Sequence, residues 1–356
     1  MDTLQDNQQG HRAIGSIRVP GAKMGKLSTE NLERLLRCIR NDSRVIVPPK
    51  PGSDSGVHQI DDRYLVVSTD PCIGVPQEWF GWLLIHYASS DVALFGAKPE
   101  FCTINLLGAP STKPETFYKV MKQACDAAEE LGMAIVTGHT GTYGDLSALV
   151  GVCTAYGPVD KEKLITPGGA KPGDLILCTK LIGMETAVNF ALTQSALAKK
   201  LFGAQRTRKL AKLVKTQSCV REALMLAERG GVRAMHDATE GGLTAALNEM
   251  AEASKVGFKV EFSKIPVPNE VYALQRYFEL SDDQVMAMSS TGTILAAISP
   301  EAKDRIIETL HQSGIEAIVI GSFTRGRHRI IVKNDEEVIF PKRADDPYSR
   351  IVSEKA

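Results

Sequence analysis

Residues 232–254 read VRAMHDATEGGLTAALNEMAEAS: a short apolar run, a polar corner containing glycine, then a helical pattern. Residues 232–235 suit a buried strand. From Leu243 the apolar side chains recur at 243, 246, 247, 250 and 251, which is one face of an amphipathic helix. A strand that ends in a polar corner and opens straight into a helix aims unsatisfied backbone N–H groups at whatever sits above it, and a phosphate or other anion fits there. Gly241 and Gly242 let the backbone approach a ligand closely, and Asp237 can hold a metal ion. The same residues also suit a plain turn, with Asp237 or Thr239 as the helix N-cap.

Outward from this stretch, a chain of 356 residues exceeds one comfortable core, so two domains are expected. Forty-two basic and forty-two acidic residues cancel, leaving no global field to gather nucleic acid or an anionic membrane. The seven cysteines include no Cys-x-x-Cys pair, which argues against a disulfide framework or zinc knuckle and for a reducing compartment. The first dozen residues lack the apolar run of a signal peptide, and the longest apolar run, 79–97, is broken by His86 and by Ser89, Ser90 and Asp91. A cytoplasmic protein without nucleic-acid or membrane partners is expected.

Residues 1–25 read as a flexible tail. Ser28 then suits the N-cap of a helix with Leu32, Leu35, Leu36 and Ile39 on one face. The stretch 20–28, PGAKMGKLS, approaches a P-loop but has Pro20 for the first glycine and Leu27 where Ser or Thr should follow the lysine, so it is not one. Lys26 either reaches a phosphate or is simply solvated. A hairpin is expected over 57–60 and 64–69 with its turn at Asp61 and Asp62, then a buried helix over 79–95, a strand over 101–107, a helix over 114–131, and strands over 134–137 and 146–156. This order predicts an α+β domain over 26–165 with helices on one sheet face. The glycine- and proline-rich 165–173, ITPGGAKPG, is the linker to a second domain over 166–345. There, strands at 175–180, 232–235, 258–262, 293–298, 317–320 and 329–332 alternate with helices across 184–229, 242–254 and 301–313. Residues 346–356 are expected to be a C-terminal tail.

Three aspartates stand in small-residue contexts away from charged helix faces: Asp54 in GSDSG, Asp70 in STDP and Asp91 in SSDVA. Magnesium takes hard oxygen ligands, and aspartates from separate segments supply them where the fold brings them together; each also suits a turn or cap. Residues 137–144, TGHTGTYG, are a strand end running into a loop, either wrapping a nucleotide with backbone donors or merely connecting elements. His139 within it is a base, a ligand or a structural polar residue. There is no Gly-x-Ser-x-Gly elbow, no His-Glu-x-x-His and no dinucleotide fingerprint, so hydrolase, zincin and hydride-transfer readings lose ground.

HDATEGGLTAALNEMAEAS, with GSDSG, VVSTD, SSDVALFGAKP and IVTGHT in that chain, resembles the aminoimidazole ribonucleotide (AIR) synthase superfamily, the PurM-like group, and most closely its hydrogenase-maturation branch. The resemblance covers about residues 24 to 340. It implies a two-domain homodimer formed through strands of the N-terminal domain, with ATP and magnesium (Mg) in a cleft between domains. It implies phosphorylation of an oxygen, often of an amide, on a small molecule or a protein. By position, Asp54, Asp70 and Asp91 match the family's metal ligands. Asp237, Thr239, Gly241 and Gly242 match its second-domain phosphate loop. Lys26, Ser53, Thr69, Thr137, Gly138 and Thr140 are implied nucleotide contacts, and Asp237, Glu240 and His139 catalytic groups, with His236 a further candidate for moving protons. Ser53 stands where several members carry the first of two adjacent aspartates, and His139 where many carry an acid, which implies weaker or fewer magnesium ions. The chain ends YSRIVSEKA, without the C-terminal cysteine that the carbamoyl dehydratase modifies, so that reaction in its usual form is not expected. The alternatives are a nucleotide-binding assembly factor without turnover, and a thiamine-monophosphate kinase, whose second-domain motif contains serine where this chain has DATEGGL.

Overall fold

The computed structural model describes residues 25–353. Residues 1–24 of the tail expected over 1–25, which include the first part of the near-miss P-loop (20–24), and residues 354–356 lie outside the described residues. Helix α1 (Thr29–Leu36) starts where Ser28 accepts a hydrogen bond from the Asn31 N–H, but none of its residues is buried. Strands β1 (Val45–Val47), β2 (Ser55–Ile60) and β3 (Arg63–Cys72) follow, then α2 (Phe80–Leu94), β4 (Phe101–Gly108), α3 (Pro114–Leu131), β5 (Ala134–Thr142) and β6 (Val150–Val159). β2 and β3 pair as a hairpin around Asp61, which adopts φ 50°, a conformation aspartate tolerates better than most residues. α3 begins on Pro114 and stops at Gly132 in the left-handed region, as proline-start and glycine-stop signals dictate. It is the crossover that a parallel β4–β5 pair requires.

These strands form one six-stranded sheet in the order β1-β2-β3-β6-β4-β5. One face is covered by α2 and α3; the other is open. Residues 138–142, expected as loop, instead continue β5 in register with β4, pairing up to Gly108 and Thr142. Edge pairing needs only backbone groups, so the glycines and threonines there give no alternating apolar signal. β6 begins at Val150, four residues later than expected.

The second half runs β7 (Leu175–Thr179), α4 (Met184–Thr193), α5 (Ser195–Phe202), α6 (Ala204–Leu210), α7 (Val220–Arg229), β8 (Val232–Ala238), α8 (Gly242–Ser254) and β9 (Gly257–Glu261). It continues with α9 (Asn269–Tyr277), α10 (Asp282–Met286), β10 (Ser290–Ile298), α11 (Lys303–Gln312), β11 (Ala317–Thr324), β12 (Arg329–Lys333), β13 (Glu336–Ile339) and α12 (Tyr348–Ser353). Its seven-stranded sheet has the order β13-β12-β9-β11-β7-β10-β8, with β9 and β12 parallel. Strands β7 and β10 and the edge strand β8 contribute side chains to apolar clusters on both faces, which is why they read as near-continuous apolar runs such as LILCT and ILAAI. The fold is α+β.

Every residue of α2 except Tyr87 is buried. A helix apolar all round belongs between layers, and α2 packs on β3, β6 and α3 on one side and on α7 and β8 on the other. At Gly81 a Cβ would lie 2.1 Å from the Val120 carbonyl of α3, so this helix contact requires glycine. No helix among the described residues is long and apolar enough to cross a membrane.

Residues 348–353, expected within a tail, form α12 and dock on α4. Asn189 donates to the Tyr348 hydroxyl at 2.9 Å, and Thr193 and Gln194 both donate to the Val352 carbonyl. The helix is short and its sequence weakly patterned, so only these tertiary contacts hold it. Ile351 is fully buried, and Ile351→Ala is expected to lower the unfolding free energy by about 2–4 kcal/mol. A urea midpoint unchanged from the parent would show that α12 is not docked in solution.

Candidate active site

The segment before β2 carries Asp54, β3 carries Asp70, α2 carries Asp91 and β8 carries Asp237. Strand alternation turns Ser68, Asp70 and Cys72 toward the face that α2 covers. The Ser68 hydroxyl lies 2.8 Å from Asp91 Oδ2 and 3.1 Å from the Asp54 carbonyl, so it ties the three segments together. Burial, and then the charges of Asp54, Asp70 and Asp237, push the Asp91 carboxyl well above its ordinary range. Asp70 is pushed up to about 6, chiefly by burial, with Asp54 and Asp237 adding and Lys26 opposing. Burial works the same way on Asp54, but Lys26 and His236 outweigh it and hold that carboxyl below its usual value. Acids from both sheets thus share one electrostatic environment.

Lys26 bridges the two halves. Its Nζ lies 3.2 Å from Asp54 Oδ1, and its backbone N–H donates to Glu240 Oε1 at 2.9 Å. Gly25 makes this approach feasible: it has φ 99°, and a Cβ there would lie 2.0 Å from the Glu240 carboxylate. The Lys26 ammonium is held charged above its ordinary range, mainly by Asp54. Because the side chain is 59% exposed, the ion pair itself is worth at most about 1 kcal/mol.

His236 and Asp237 lie on β8, which extends to Ala238 rather than ending at 235 as expected. His236 Nδ1 is 2.8 Å from the Asp237 carbonyl, while Nε2 is 3.9 Å from Asp54 Oδ2. Glu249 Oε2 on α8 is 2.9 Å from Nε2 but off the hydrogen-bonding axis of the ring. Asp54, His236 and Asp237 each bring one ligand-type atom within 4.8 Å of the others. His236 Nε2 and Asp237 Oδ1 are both buried without a hydrogen-bond partner among the described residues. Buried polar atoms left unpaired are costly, so the corner fits a cation. Of the expected trio of Asp54, Asp70 and Asp91, only Asp54 belongs to this group, while the charges of Asp54 and Asp237 act on both Asp70 and Asp91.

The glycine corner follows. Gly241 (φ 84°) precedes α8 and Gly242 (φ 56°) opens it; a Cβ on Gly242 would lie 2.5 Å from the Met288 carbonyl, so no other residue fits. The Gly242 N–H donates to the Thr239 carbonyl at 2.8 Å, and no side chain caps the helix, so the N-cap role open to Asp237 or Thr239 is not taken. The Gly241 N–H is engaged: it donates to Asp346 Oδ2 at 3.3 Å, an oxygen that also accepts from the Ser289 hydroxyl at 2.5 Å. Burial, with help from Asp346 and Asp237, pushes the nearby Glu185 carboxyl up to about 7.

Other expected contacts lie elsewhere. Thr69 points to the open face, 2.9 Å from the Thr154 hydroxyl, and belongs to a register row Thr69-Thr154-Thr103-Thr137 that crosses four strands. Gly138 shares the row Asp70-Cys153-Ile104-Gly138, three strand spacings or about 14 Å from Asp70. His139 and Thr140 follow on the edge strand, and exposed His139 is hydrogen-bonded to the Tyr143 hydroxyl. The Ser53 hydroxyl turns back to the Ser55 carbonyl at 3.0 Å. In the single chain Thr69, Thr137, Gly138, His139 and Thr140 are therefore outside the carboxylate corner. Sequence reasoning missed Glu249 and Asp346, which no local pattern marks, since each arrives through tertiary packing.

Two family descriptions match the sequence in tandem: AIR synthase related protein, N-terminal domain, over residues 52–159, and AIR synthase related protein, C-terminal domain, over residues 171–333. The chain is 26% identical to the selenide, water dikinase of Carboxydothermus hydrogenoformans, covering 86% of this chain and 95% of that protein. It is 27% identical to the carbamoyl dehydratase HypE of Azotobacter vinelandii, covering 87% and 88%. Its fold is similar to that of the hydrogenase maturation protein HypE in complex with ATP, with a TM-score of 0.67 and 22% identity over 80% of this chain and 86% of that one.

The carboxylate corner carries a pH signature. The folded protein keeps a proton on Asp70 up to about pH 6, whereas the unfolded chain releases it near about pH 4, so stability falls as pH rises through that window. In metal-free protein, Asp70→Asn should remove this part of the slope and be more stable than the parent at pH 7 by about 1–3 kcal/mol. Equal slopes in urea unfolding from pH 4 to 7 would contradict the clustering.

Proposed function

The chain belongs to the AIR synthase related protein family, and from that premise we propose that it is an ATP- and magnesium-dependent enzyme that activates an amide or carbonyl oxygen by phosphoryl transfer. The observation that carries this reading is the meeting of Asp54, Asp70 and Asp91 from the first half with Asp237 and the Gly241–Gly242 corner from the second. A dikinase and a dehydratase among the relatives, and a similar fold solved with ATP, support it. The orphaned Asp237 Oδ1 and the upward-shifted Asp70 and Asp91 describe a corner with more negative charge than Lys26 offsets.

Magnesium bound there supplies charge neutralisation for the phosphates. Asp54 and Asp237, from opposite halves, would hold it, and the buried Asp70 and Asp91 share the same electrostatic field. Lys26 adds a positive charge paired with Asp54, its backbone N–H held by Glu240. Glu240, beside the glycine corner, is then the group placed to move a proton, ahead of the distant His139. Catalysis in such a corner is mostly positioning and electrostatic stabilisation. The open face of the first sheet, with the Phe101–Tyr156 aromatic pair and the threonine row, is the surface through which two copies pair as a homodimer.

A second reading, a nucleotide-binding maturation factor without turnover, is favoured by one observation: Asp346 already holds the Gly241 amide. Formation of ADP or AMP by purified protein with candidate amides decides between them. Under the enzymatic reading, Asp54→Asn should lower turnover by at least about 100-fold and weaken magnesium-dependent ATP binding. Retention of both would remove the corner as the active site. Tyr156→Lys should shift the sedimentation coefficient from dimer to monomer, and a parent protein that already sediments as a monomer would refute the pairing.

A further inference from the structure

We propose that His236 is a direct metal ligand and that, with Asp54 and Asp237, it makes this corner a mixed nitrogen–oxygen site selecting a first-row transition cation such as Mn2+ over Mg2+. The inference deepens the reading of this cleft as a metal–nucleotide site, naming a ligand and a metal class that the aspartates alone do not imply.

The geometry comes from three elements. His236 is 4% exposed, and its Nδ1 sits 2.8 Å from the Asp237 carbonyl. A proton on Nδ1 donated to that carbonyl leaves the Nε2 lone pair free, the usual way a backbone oxygen sets the tautomer of a metal-binding imidazole. Nε2 makes no well-aligned hydrogen bond: Glu249 Oε2 lies 2.9 Å away, and Asp54 Oδ2 faces it at 3.9 Å. Asp54 divides its two oxygens: Oδ1 takes Lys26, and Oδ2 faces the ring. Asp237 Oδ1, also buried and unpartnered, lies 3.7 Å from Nδ1 of the same ring, and Asp54, His236 and Asp237 each offer one ligand-type atom within 4.8 Å of the others. Donors bound at about 2.0–2.2 Å to one ion stand roughly 3–4.4 Å apart, so the trio is nearly preformed. The 2.9 Å between Nε2 and Glu249 Oε2 is likewise the spacing of adjacent ligands, which places Glu249 as a fourth donor.

Imidazole nitrogen is a poor ligand for magnesium, which prefers hard oxygens and keeps much of its water; it binds manganese and later first-row ions well. One buried histidine among carboxylates therefore tilts selectivity without excluding magnesium.

The test is Mn2+ titration of the full chain without nucleotide, followed by electron spin echo measurement of 14N coupling, so that it succeeds or fails independently of ATP turnover. The expected results are a directly coordinated 14N in the parent, its loss in His236→Gln, and Mn2+ affinity about ten- to hundredfold weaker in that variant, with Mg2+ affinity changed less than about threefold. Bound Mn2+ with oxygen ligands alone in the parent, no Mn2+ binding, or equal losses for both cations in the variant would overturn it. The parent spectrum needs no variant, so a poorly folded His236→Gln leaves the test intact.

Discussion

Helix α2 has almost no solvent face, so the two halves of the chain must close on it. Burying Phe80, Leu83, Leu84, Ile85, Val92 and Leu94 contributes about 1.5–3 kcal/mol each, enough to carry the polar groups of the same helix inside with them. Those polar groups then join the halves. His86 Nδ1 lies 2.7 Å from the Ser218 hydroxyl, Tyr87 donates to Gln217, and Ser90 accepts the Cys219 N–H. The position of Asp91 is a by-product of this packing: one helical turn beyond Tyr87, it can only point into the seam.

Apolar burial at α2 thus drives an electrostatic conflict a few ångströms away. Four aspartates arrive from four elements, and desolvation raises the energy of their charged forms. Lys26 and His236 relieve Asp54, but the upward shifts of Asp70 and Asp91 show that relief is local. A corner built this way has unfilled demand for positive charge, and proteins concentrate such perturbed acids where ligands bind. The cost is carried by the cores on either side rather than by the corner itself.

Elements with strong local patterns were legible in the sequence. The hairpin turn at Asp61 and Asp62, the Pro114-to-Gly132 helix and the helix after Gly241 all appear where periodicity and turn chemistry place them. β13, with the polar sequence EEVI at a sheet edge, and α12, held by Asn189 and Thr193, were not legible, because their stability comes from partners far along the chain. At the corner, the small-residue contexts of Asp54, Asp70 and Asp91 and the glycines after Asp237 gave real signals. Thr69 was separable from Asp70 in principle, since neighbours on a strand face opposite sides. The geometry of His139 was not separable, because a strand of glycine and threonine at an uncovered edge looks like a loop.

The Asp346 carboxylate bears on timing. Any anion that takes the Gly241 amide must first evict Asp346 Oδ2, which Ser289 also holds, while Oδ1 of the same carboxylate accepts the Tyr348 N–H of the six-residue helix α12. Short helices fray quickly, but fraying sets an upper speed that added ligand does not raise. Capture at this corner would then level off with concentration, paced by how often α12 lets go.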